Sequence, residues 1–245
     1  MGLLLKKLIR SIIWKIIGED PRREVDIDLI SPRRQMIDYA VAIINHYTRL
    51  TRRNKEIGQR DSLLRDYLEF GCYRGDTLIY AFKRAASLMP WMRFFAFDSF
   101  QGFPQLDFPD TEGEYWQGQF SCTQDEFLNN LKKANVKLNR VRCIPGWFSQ
   151  TLTPELKRKE DLNIASIVYI DCNLYKSCIP VLQFITDILE TGSVIMFDDW
   201  FSFKGNPEKG IQRACKEWLL RNPQILLQDW HMFGAYGKSF IVKIK

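Results

Sequence analysis

The chain has 245 residues, of which 46% are hydrophobic and 26% charged, and its net charge is +6. This composition excludes a disordered protein or a coiled coil and predicts a globular chain that buries roughly 70% of its unfolded surface. Residues 1–60 carry the whole excess of positive charge, with 13 Lys and Arg against 7 Asp and Glu. Because a nucleic-acid-binding fold carries basic residues across one face of its body, we predict no nucleic acid partner.

The first 20 residues form a basic, apolar segment that we predict to be a helix. Leu and Ile residues between positions 3 and 17 are interspersed with Lys and Arg, which interrupt the apolar core that a signal peptide needs. Two interpretations stay open for residues 3–17: peripheral contact with a membrane, or packing against this chain or its homo-oligomer. The six cysteines include no CxxC pair, which is typical of reduced thiols in a cytoplasmic protein.

The rest of the chain alternates between helix and strand patterns. We predict a helical extension over residues 21–60, with helical spacing between 32 and 57, and a second unit over residues 61–245. Predicted strands cover 67–70, 93–98, 140–144, 166–171, 193–197, 225–230 and 239–244, and predicted helices cover 76–89, 124–135, 176–190 and 208–221. This alternation predicts an α/β fold, with a mostly parallel central sheet and helices on both faces. In such sheets ligands bind beyond the carboxyl ends of the strands.

The turn after the first predicted strand contains Glu69, Gly71, Tyr73 and Gly75. Glycines at this place let the backbone approach a ligand, and the N–H groups of the following helix face it. A dinucleotide fingerprint needs glycines at 71, 73 and 76, but Tyr73 and Asp76 occupy two of these positions. A carboxylate just before the first glycine instead favours a cofactor with a positively charged ammonium group. An ordinary tight turn is the alternative.

The second predicted strand ends in Asp98, which Ser99 follows. An acid at this place can accept two hydrogen bonds from the hydroxyls of a ribose. Its alternative role is to cap a turn or a helix. Together with the glycine turn, Asp98 favours the binding of an adenosine group.

Three more acids follow two apolar strands, Asp171 after one and Asp198 and Asp199 after the other. Converging carboxylates repel one another unless a cation joins them. Ligation by oxygen alone suits Mg²⁺ or a similar hard divalent cation. The sequence therefore predicts a metal site at this edge of the sheet.

The segment from 105 to 122 is long for a loop in a compact domain and contains Tyr115, Trp116 and Phe120. Loops of this length often act as lids, and aromatic faces suit sugar rings. A hydrophobic flap packed on the sheet or on a neighbouring subunit is the alternative. Residues 201–210 are a candidate for a second mobile edge.

The ordered set of motifs resembles the macrocin O-methyltransferase family, which methylates sugar hydroxyls of natural products with S-adenosylmethionine (SAM) and Mg²⁺. The resemblance spans residues 30–230. The matching motifs are Glu69-Phe-Gly-x-x-x-Gly75, Asp98-Ser-Phe-x-Gly-Phe-Pro104, Gly146-Trp147-Phe148 with Thr151-Leu152, Asp171-Cys-Asn-Leu-Tyr175-Lys-Ser177 and Asp198-Asp199. The resemblance implies a class I SAM-methyltransferase (Rossmann-like) fold for residues 61–245.

The resemblance also implies roles for individual residues. The methionine end of SAM would lie against Glu69, Gly71, Tyr73 and Gly75. The ribose would lie against Asp98 and Ser99, and the adenine near Gly146 and Trp147. The metal would bind to Asp171, Asp198 and Asp199. The family usually reads Asp-Gly-Asp-Leu-Tyr-Glu-Ser where this chain has Asn173 and Lys176, so any contribution of the second Asp is absent here. Trp200 stands where Tyr is more usual.

The implied reaction is an in-line attack of an alcohol oxygen on the sulfonium methyl group of SAM. Bound Mg²⁺ would lower the pKa of the hydroxyl and fix its oxygen beside the methyl group. Two adjacent hydroxyls can chelate the ion, so the predicted acceptor is a small molecule or glycan with a vicinal diol. Asp171 is the first candidate for the base, because a strand-end carboxylate can contact both metal and hydroxyl, and His231 is the alternative.

A second hypothesis keeps the fold without the reaction: a non-catalytic module that docks to a membrane or a partner through its basic N-terminal helix. The departures at Asn173 and Lys176 favour it. The three clustered acids favour the enzyme, because an inactive module has no reason to tolerate them.

Overall fold

The computed structural model describes residues 30–53, 66–113 and 115–245. The predicted helix over residues 1–20, with its membrane or oligomer contact, lies outside these residues. Within them, no helix is both long and apolar enough to cross a membrane.

Seven helices and seven strands alternate along the described residues. The helices are α1 (Ile30–Arg53), α2 (Asp76–Ala85), α3 (Gln124–Lys133), α4 (Phe148–Thr151), α5 (Pro154–Lys159), α6 (Tyr175–Ile185) and α7 (Gly210–Arg221). The strands are β1 (Asp66–Phe70), β2 (Arg93–Asp98), β3 (Val141–Pro145), β4 (Ala165–Ile170), β5 (Leu189–Phe197), β6 (Ile225–Phe233) and β7 (Gly237–Ile244). Short 3₁₀ turns occur at Asp110–Glu112, Leu138–Arg140 and Phe203–Gly205.

All seven strands form one sheet in the order β3-β2-β1-β4-β5-β7-β6. Strands β1 to β5 are parallel, and β7 runs antiparallel to both β5 and β6. This confirms the predicted α/β class and the mostly parallel sheet. The strand order reverses between β1 and β4, and a crevice at such a switch point is where open α/β sheets bind ligands.

Helices cover both faces of the sheet, and alternate residues of the buried strands supply the two cores. Along β4, Tyr169 belongs to the core that α1, α2 and α3 cover, whereas Ile170 belongs to the core that α6 and α7 cover. Helix α1 buries Met36, Ile37 and Ile44 in the first core, which confirms the helical spacing predicted there. Helix α1, the described part of the extension, therefore packs on the same sheet that carries the candidate site.

Several elements of the fold differ in their bounds from the prediction, and two differences have a clear physical reason. Helix α6 ends at Ile185 and β5 already begins at Leu189, because the Ile188 carbonyl accepts the N–H of Ala165 and starts the pairing with β4. The short helices α4 and α5 were not predicted. Helix α5 carries a local signal all the same, because the Thr153 hydroxyl accepts the N–H of Leu156 as an N-cap and Pro154 follows it.

Candidate active site

Glycine is required in the turn after β1 because two backbones meet there. Gly71 has a φ of +87°, and a Cβ atom on it would lie 1.9 Å from the carbonyl oxygen of Asp171. Gly75 has a φ of +89°, and a Cβ atom there would lie 2.9 Å from the Phe127 ring. The turn after β1, where the cofactor is expected, is thus in direct contact with the turn after β4, where the metal is expected.

Asp98 holds the glycine turn through backbone hydrogen bonds. Its Oδ2 accepts the N–H groups of Cys72 at 2.7 Å and Tyr73 at 3.0 Å, and its Oδ1 accepts that of Phe100 at 2.8 Å. A carboxylate accepts about four hydrogen bonds, so one acceptor position stays open for a ligand hydroxyl. The adjacent Ser99 hydroxyl donates to the Gly102 carbonyl. The capping role is realised, and the contact with ribose stays a prediction.

Glu69 is fully buried beneath the same turn. The hydroxyls of Tyr67 and Thr77 each donate a hydrogen bond of 2.6 Å to its carboxylate. Burial raises the pKa of Glu69 from its ordinary 4.5 to about 7, against the opposing effect of these two hydrogen bonds. A cation bound near the turn would favour the ionised form.

This raised pKa predicts a pH-dependent stability. The folded state binds the Glu69 proton more tightly than the unfolded chain does, so its contribution to stability is largest below pH 4.5 and is lost as the pH rises to about 7. The loss for this group amounts to about 3 kcal/mol. We expect Glu69→Gln to remove that part of the decline in urea unfolding between about pH 4.5 and pH 7. Parallel pH profiles for the wild type and the variant would contradict this.

Gly146 and Trp147 lie beside Asp98 at the end of β3. The Gly146 N–H donates to the Asp98 carbonyl at 2.9 Å, and the half-buried Trp147 is the N-cap residue of α4. The structure thus brings the residues predicted for ribose and for adenine to neighbouring strand ends.

The three predicted metal ligands come together at the ends of β4 and β5. One carboxylate oxygen from each of Asp171, Asp198 and Asp199 lies within 4.8 Å of the other two. Asp198 and Asp199 are buried, and Asp171 is half-buried. Burial, and after it the charge of Asp198, raises the pKa of Asp171 well above its usual range and that of Asp199 to about 8. Without a cation the cluster lowers the stability of the fold, because its carboxylates repel one another when they are ionised.

The hydrogen bonds of the cluster leave one buried oxygen of Asp199 open. Asp198 accepts from the Tyr169 hydroxyl at 2.7 Å and from both Nε and Nη2 of Arg33 on α1. Asp199 Oδ1 accepts from the Asn173 amide at 2.8 Å. Asp199 Oδ2 is buried and has no hydrogen-bond partner in the part of the chain that the structure describes.

These observations fit a divalent cation. The donors are all carboxylate oxygens, which is the chemistry that Mg²⁺ prefers. Once all three carboxylates are ionised, they and the Arg33 guanidinium carry a net charge of −2, which one divalent cation neutralises. The open oxygen of Asp199 supplies a ligand without breaking a hydrogen bond.

The long loop after β2 is anchored to α6 and reaches the acid cluster. Buried Asp110 accepts the N–H groups of Tyr175 and Lys176 at 2.7 and 3.0 Å. The Tyr115 hydroxyl accepts from the Asn173 amide and donates to Ser202 Oγ, both at 3.3 Å. The Tyr115 ring also packs on Phe203, whereas Trp116 is 62% exposed. The loop thus contacts Asn173, which in turn donates to Asp199 of the cluster.

Asp110 should therefore control how firmly the loop is held. Asp110→Ala leaves two N–H groups of α6 without their acceptor, and we expect it to lower the free energy of unfolding by about 1–3 kcal/mol. Proteolysis between residues 99 and 122 should become faster. Asp107→Ala is the control, because Asp107 is exposed and its pair with Lys176 at 3.4 Å contributes about 0–1 kcal/mol. Equal effects of the two variants would contradict the anchoring role.

Comparison with known proteins identifies the family. The family model described as macrocin-O-methyltransferase (TylF) matches residues 36–222, which is more than half of the chain. The chain belongs to this family. Its membership confirms the resemblance found in the sequence and makes the chain a member of a family of O-methyltransferases. No curated protein matches the chain.

Solved structures confirm the methyltransferase fold. The O-methyltransferase NovP shares 17% identity over 99% of both chains, with a TM-score of 0.66. The calicheamicin methyltransferase CalS11 shares 17% identity over 94% of this chain and 90% of its own, with a TM-score of 0.62. An O-methyltransferase from Bacillus cereus, in complex with SAH, shares 13% identity over 96% and 90%, with a TM-score of 0.52.

The two departures from the family motif have structural counterparts. Asn173 donates its amide to Asp199 and to Tyr115, which an aspartate could not do. Lys176 places its ammonium group 3.4 Å from Asp107 in the long loop, where a glutamate would be repelled. Asn173 thus connects the loop to the acid cluster, and Lys176 connects the loop to α6.

The two candidate bases lie in different places. Asp171 is part of the cluster, and its role as a base stays a prediction. His231 lies on β6, two strands from β5 in the sheet, and is exposed. Its ring contacts those of Tyr39 and Trp230, with centroids 5.1 and 4.9 Å away. The structure therefore brings Asp171, but not His231, to the acid cluster.

Proposed function

We propose that this protein transfers the methyl group of SAM to a hydroxyl of a sugar or a glycosylated metabolite, with the help of a divalent cation. One observation carries the proposal: the acid cluster, with its open Asp199 oxygen, adjoins the glycine turn, where Gly71 meets Asp171. The family membership supports methyl transfer to oxygen. The SAH of the Bacillus cereus enzyme supports SAM as the donor, and CalS11, a TDP-rhamnose 3'-O-methyltransferase, supports a sugar acceptor.

Each part of the site has a place in this reaction. We assign Glu69, Gly71, Tyr73 and Gly75 to the methionine end of SAM, Asp98 and Ser99 to its ribose, and Gly146 and Trp147 to its adenine. Asp171, Asp198 and Asp199 would hold the cation, which when bound supplies Lewis acidity to a hydroxyl. Asp171, half-buried at the cluster, takes the proton of the acceptor hydroxyl. The long loop after β2, which contains Tyr115, keeps water from the acid cluster.

The acceptor class follows from the proposed cation. A vicinal diol offers two adjacent oxygens to one cation, so we propose a small molecule or a glycan with such a diol. The test is methyl transfer from labelled SAM to pairs of glycosides, each pair a vicinal diol and its monodeoxy analogue, with Mg²⁺ or with EDTA. We expect label only in the diol and only with Mg²⁺. Equal labelling with EDTA would contradict the role of the cation, and equal labelling of both analogues would contradict that of the diol.

The second candidate is a non-catalytic module with the same fold. The contact between Arg33 and Asp198 favours it, because a guanidinium balances a buried carboxylate without any metal. This candidate predicts no labelled product from any acceptor, even where SAM binds.

A further inference from the structure

Helix α1 inserts a positive charge into the acid cluster. Arg33 Nε donates to Asp198 Oδ1 at 2.8 Å, and Nη2 donates to Oδ2 of the same carboxylate. These residues are 165 positions apart, and the Arg33 side chain is 32% exposed. Met36 and Ile37, one turn further along α1, are buried in the core and fix the helix at this point.

The guanidinium shares its carboxylate with the proposed cation. Both oxygens of Asp198 accept hydrogen bonds, from Arg33 and from the Tyr169 hydroxyl. Asp199, in contrast, is only 8% exposed, and its Oδ2 has no hydrogen-bond partner within the described ranges. Burial lowers the pKa of Arg33, but the hydrogen bond to Asp198 and the charge of Asp198 outweigh this effect, so Arg33 stays protonated at every pH that the protein tolerates. Arg33 is thus a permanent positive charge beside the site.

We propose that Arg33 is a positioning residue that sets the affinity of the acid cluster for its divalent cation. It holds Asp198 in place, compensates one negative charge, and keeps the cluster stable when no metal is bound. The same charge repels the incoming cation, so the site binds metal reversibly rather than permanently. This inference rests on the cation site proposed above.

Electrostatics gives the direction of the expected effect. Without Arg33, the net charge of the ionised cluster is −3 in place of −2. Oδ2 of Asp198 loses its hydrogen bond and becomes available to a metal, while Oδ1 still accepts from the Tyr169 hydroxyl. At the separations of this site, one full charge changes an affinity by about tenfold or more. The same change leaves the metal-free cluster with an uncompensated buried carboxylate, which lowers stability. Arg33→Gln should therefore bind a divalent cation more tightly and melt earlier without it.

The experiment measures Mn²⁺ binding by electron paramagnetic resonance and thermal melting with and without Mn²⁺, on the full chain. Arg33→Gln is compared with the wild type and with Arg34→Gln, a matched control on the same helix. Arg34 is exposed and lies over the Tyr80 ring, 5.3 Å from its centroid. We expect Arg33→Gln to bind Mn²⁺ about tenfold more tightly or better and to show the largest gain in Tm on adding Mn²⁺. Arg34→Gln should match the wild type.

Other outcomes separate this inference from the proposed function. Equal or weaker Mn²⁺ binding by Arg33→Gln, with binding by the wild type intact, overturns the role of Arg33 alone. No binding by any variant overturns the cation site and the inference with it. If Arg33→Gln folds only with Mn²⁺, the inference is supported. If it does not fold at all, Arg33→Lys decides: it keeps the positive charge, so its Mn²⁺ affinity should stay close to that of the wild type, and a change of about tenfold or more overturns the role of the charge.

Discussion

Asp199→Asn is expected to abolish binding of the divalent cation and to slow methyl transfer by roughly a thousandfold, the usual cost of losing a main electrostatic contribution at an active site. The asparagine has nearly the same shape, so it can still accept the hydrogen bond that Asn173 donates at 2.8 Å. It removes the negative charge and the open oxygen that the cation needs. Initial rates with labelled SAM and Mn²⁺ titrations measure both effects.

Thermal melting shows whether Asp199→Asn loses activity because it loses the cation or because it unfolds. The pKa of Asp199 is raised to about 8 because its carboxylate is buried next to Asp198, so its negative charge destabilises the metal-free fold. We therefore expect Asp199→Asn to melt no earlier than the wild type without metal. Asp229→Asn is the control, because Asp229 is an exposed partner of Lys238 at 3.0 Å, and we expect unchanged transfer. Wild-type transfer by Asp199→Asn would contradict the cation site.

Gly71→Ala is expected to cost about 4 kcal/mol of folding free energy or more, from steric overlap added to a strained backbone. Its Cβ would lie 1.9 Å from the carbonyl oxygen of Asp171, and its φ of +87° is unfavourable for alanine. The two turns would have to separate, so SAM binding should be lost along with stability. Urea unfolding and calorimetric titration of SAM test both results.

Gly118→Ala provides the matched control for this substitution. Gly118 has a similar φ of +78°, but a Cβ atom there would meet nothing within 4 Å. Only the backbone strain applies, so we expect a loss of about 1–2 kcal/mol. Similar losses for the two variants would show that the contact between the turns contributes nothing.

The fold could be predicted largely from the strands. Strand β4 and the second half of β5, residues 194–197, are buried on both faces, so they read as nearly continuous apolar runs followed by polar turns. The end of α6 could not be predicted in this way, because the pairing of Ile188 with Ala165, and not the local pattern, ends the helix. Short helices such as α4, with four residues, have too few turns to show a helical period.

The acid cluster could be predicted because the carboxyl ends of parallel strands meet at one edge, which places Asp171, Asp198 and Asp199 together. The hydrogen-bond partners of these acids could not be predicted from the sequence. Arg33 is 165 positions from Asp198, and no local spacing connects the two. Tyr115 was predicted as part of a lid or of a packed flap, but its hydrogen bond with Asn173 depends on how the loop folds back. Such contacts are set by tertiary packing, which the pattern of a single segment does not contain.

The central claim is that a SAM site and a divalent-cation site lie side by side in this fold. Calorimetric titration of the wild type with SAM, first without and then with Mg²⁺, tests it most directly. We predict that SAM binds at one site per chain and that Mg²⁺ binds in a separate event, which Asp198→Ala removes without removing SAM binding. Absence of SAM binding under both conditions would contradict the account and favour the non-catalytic module.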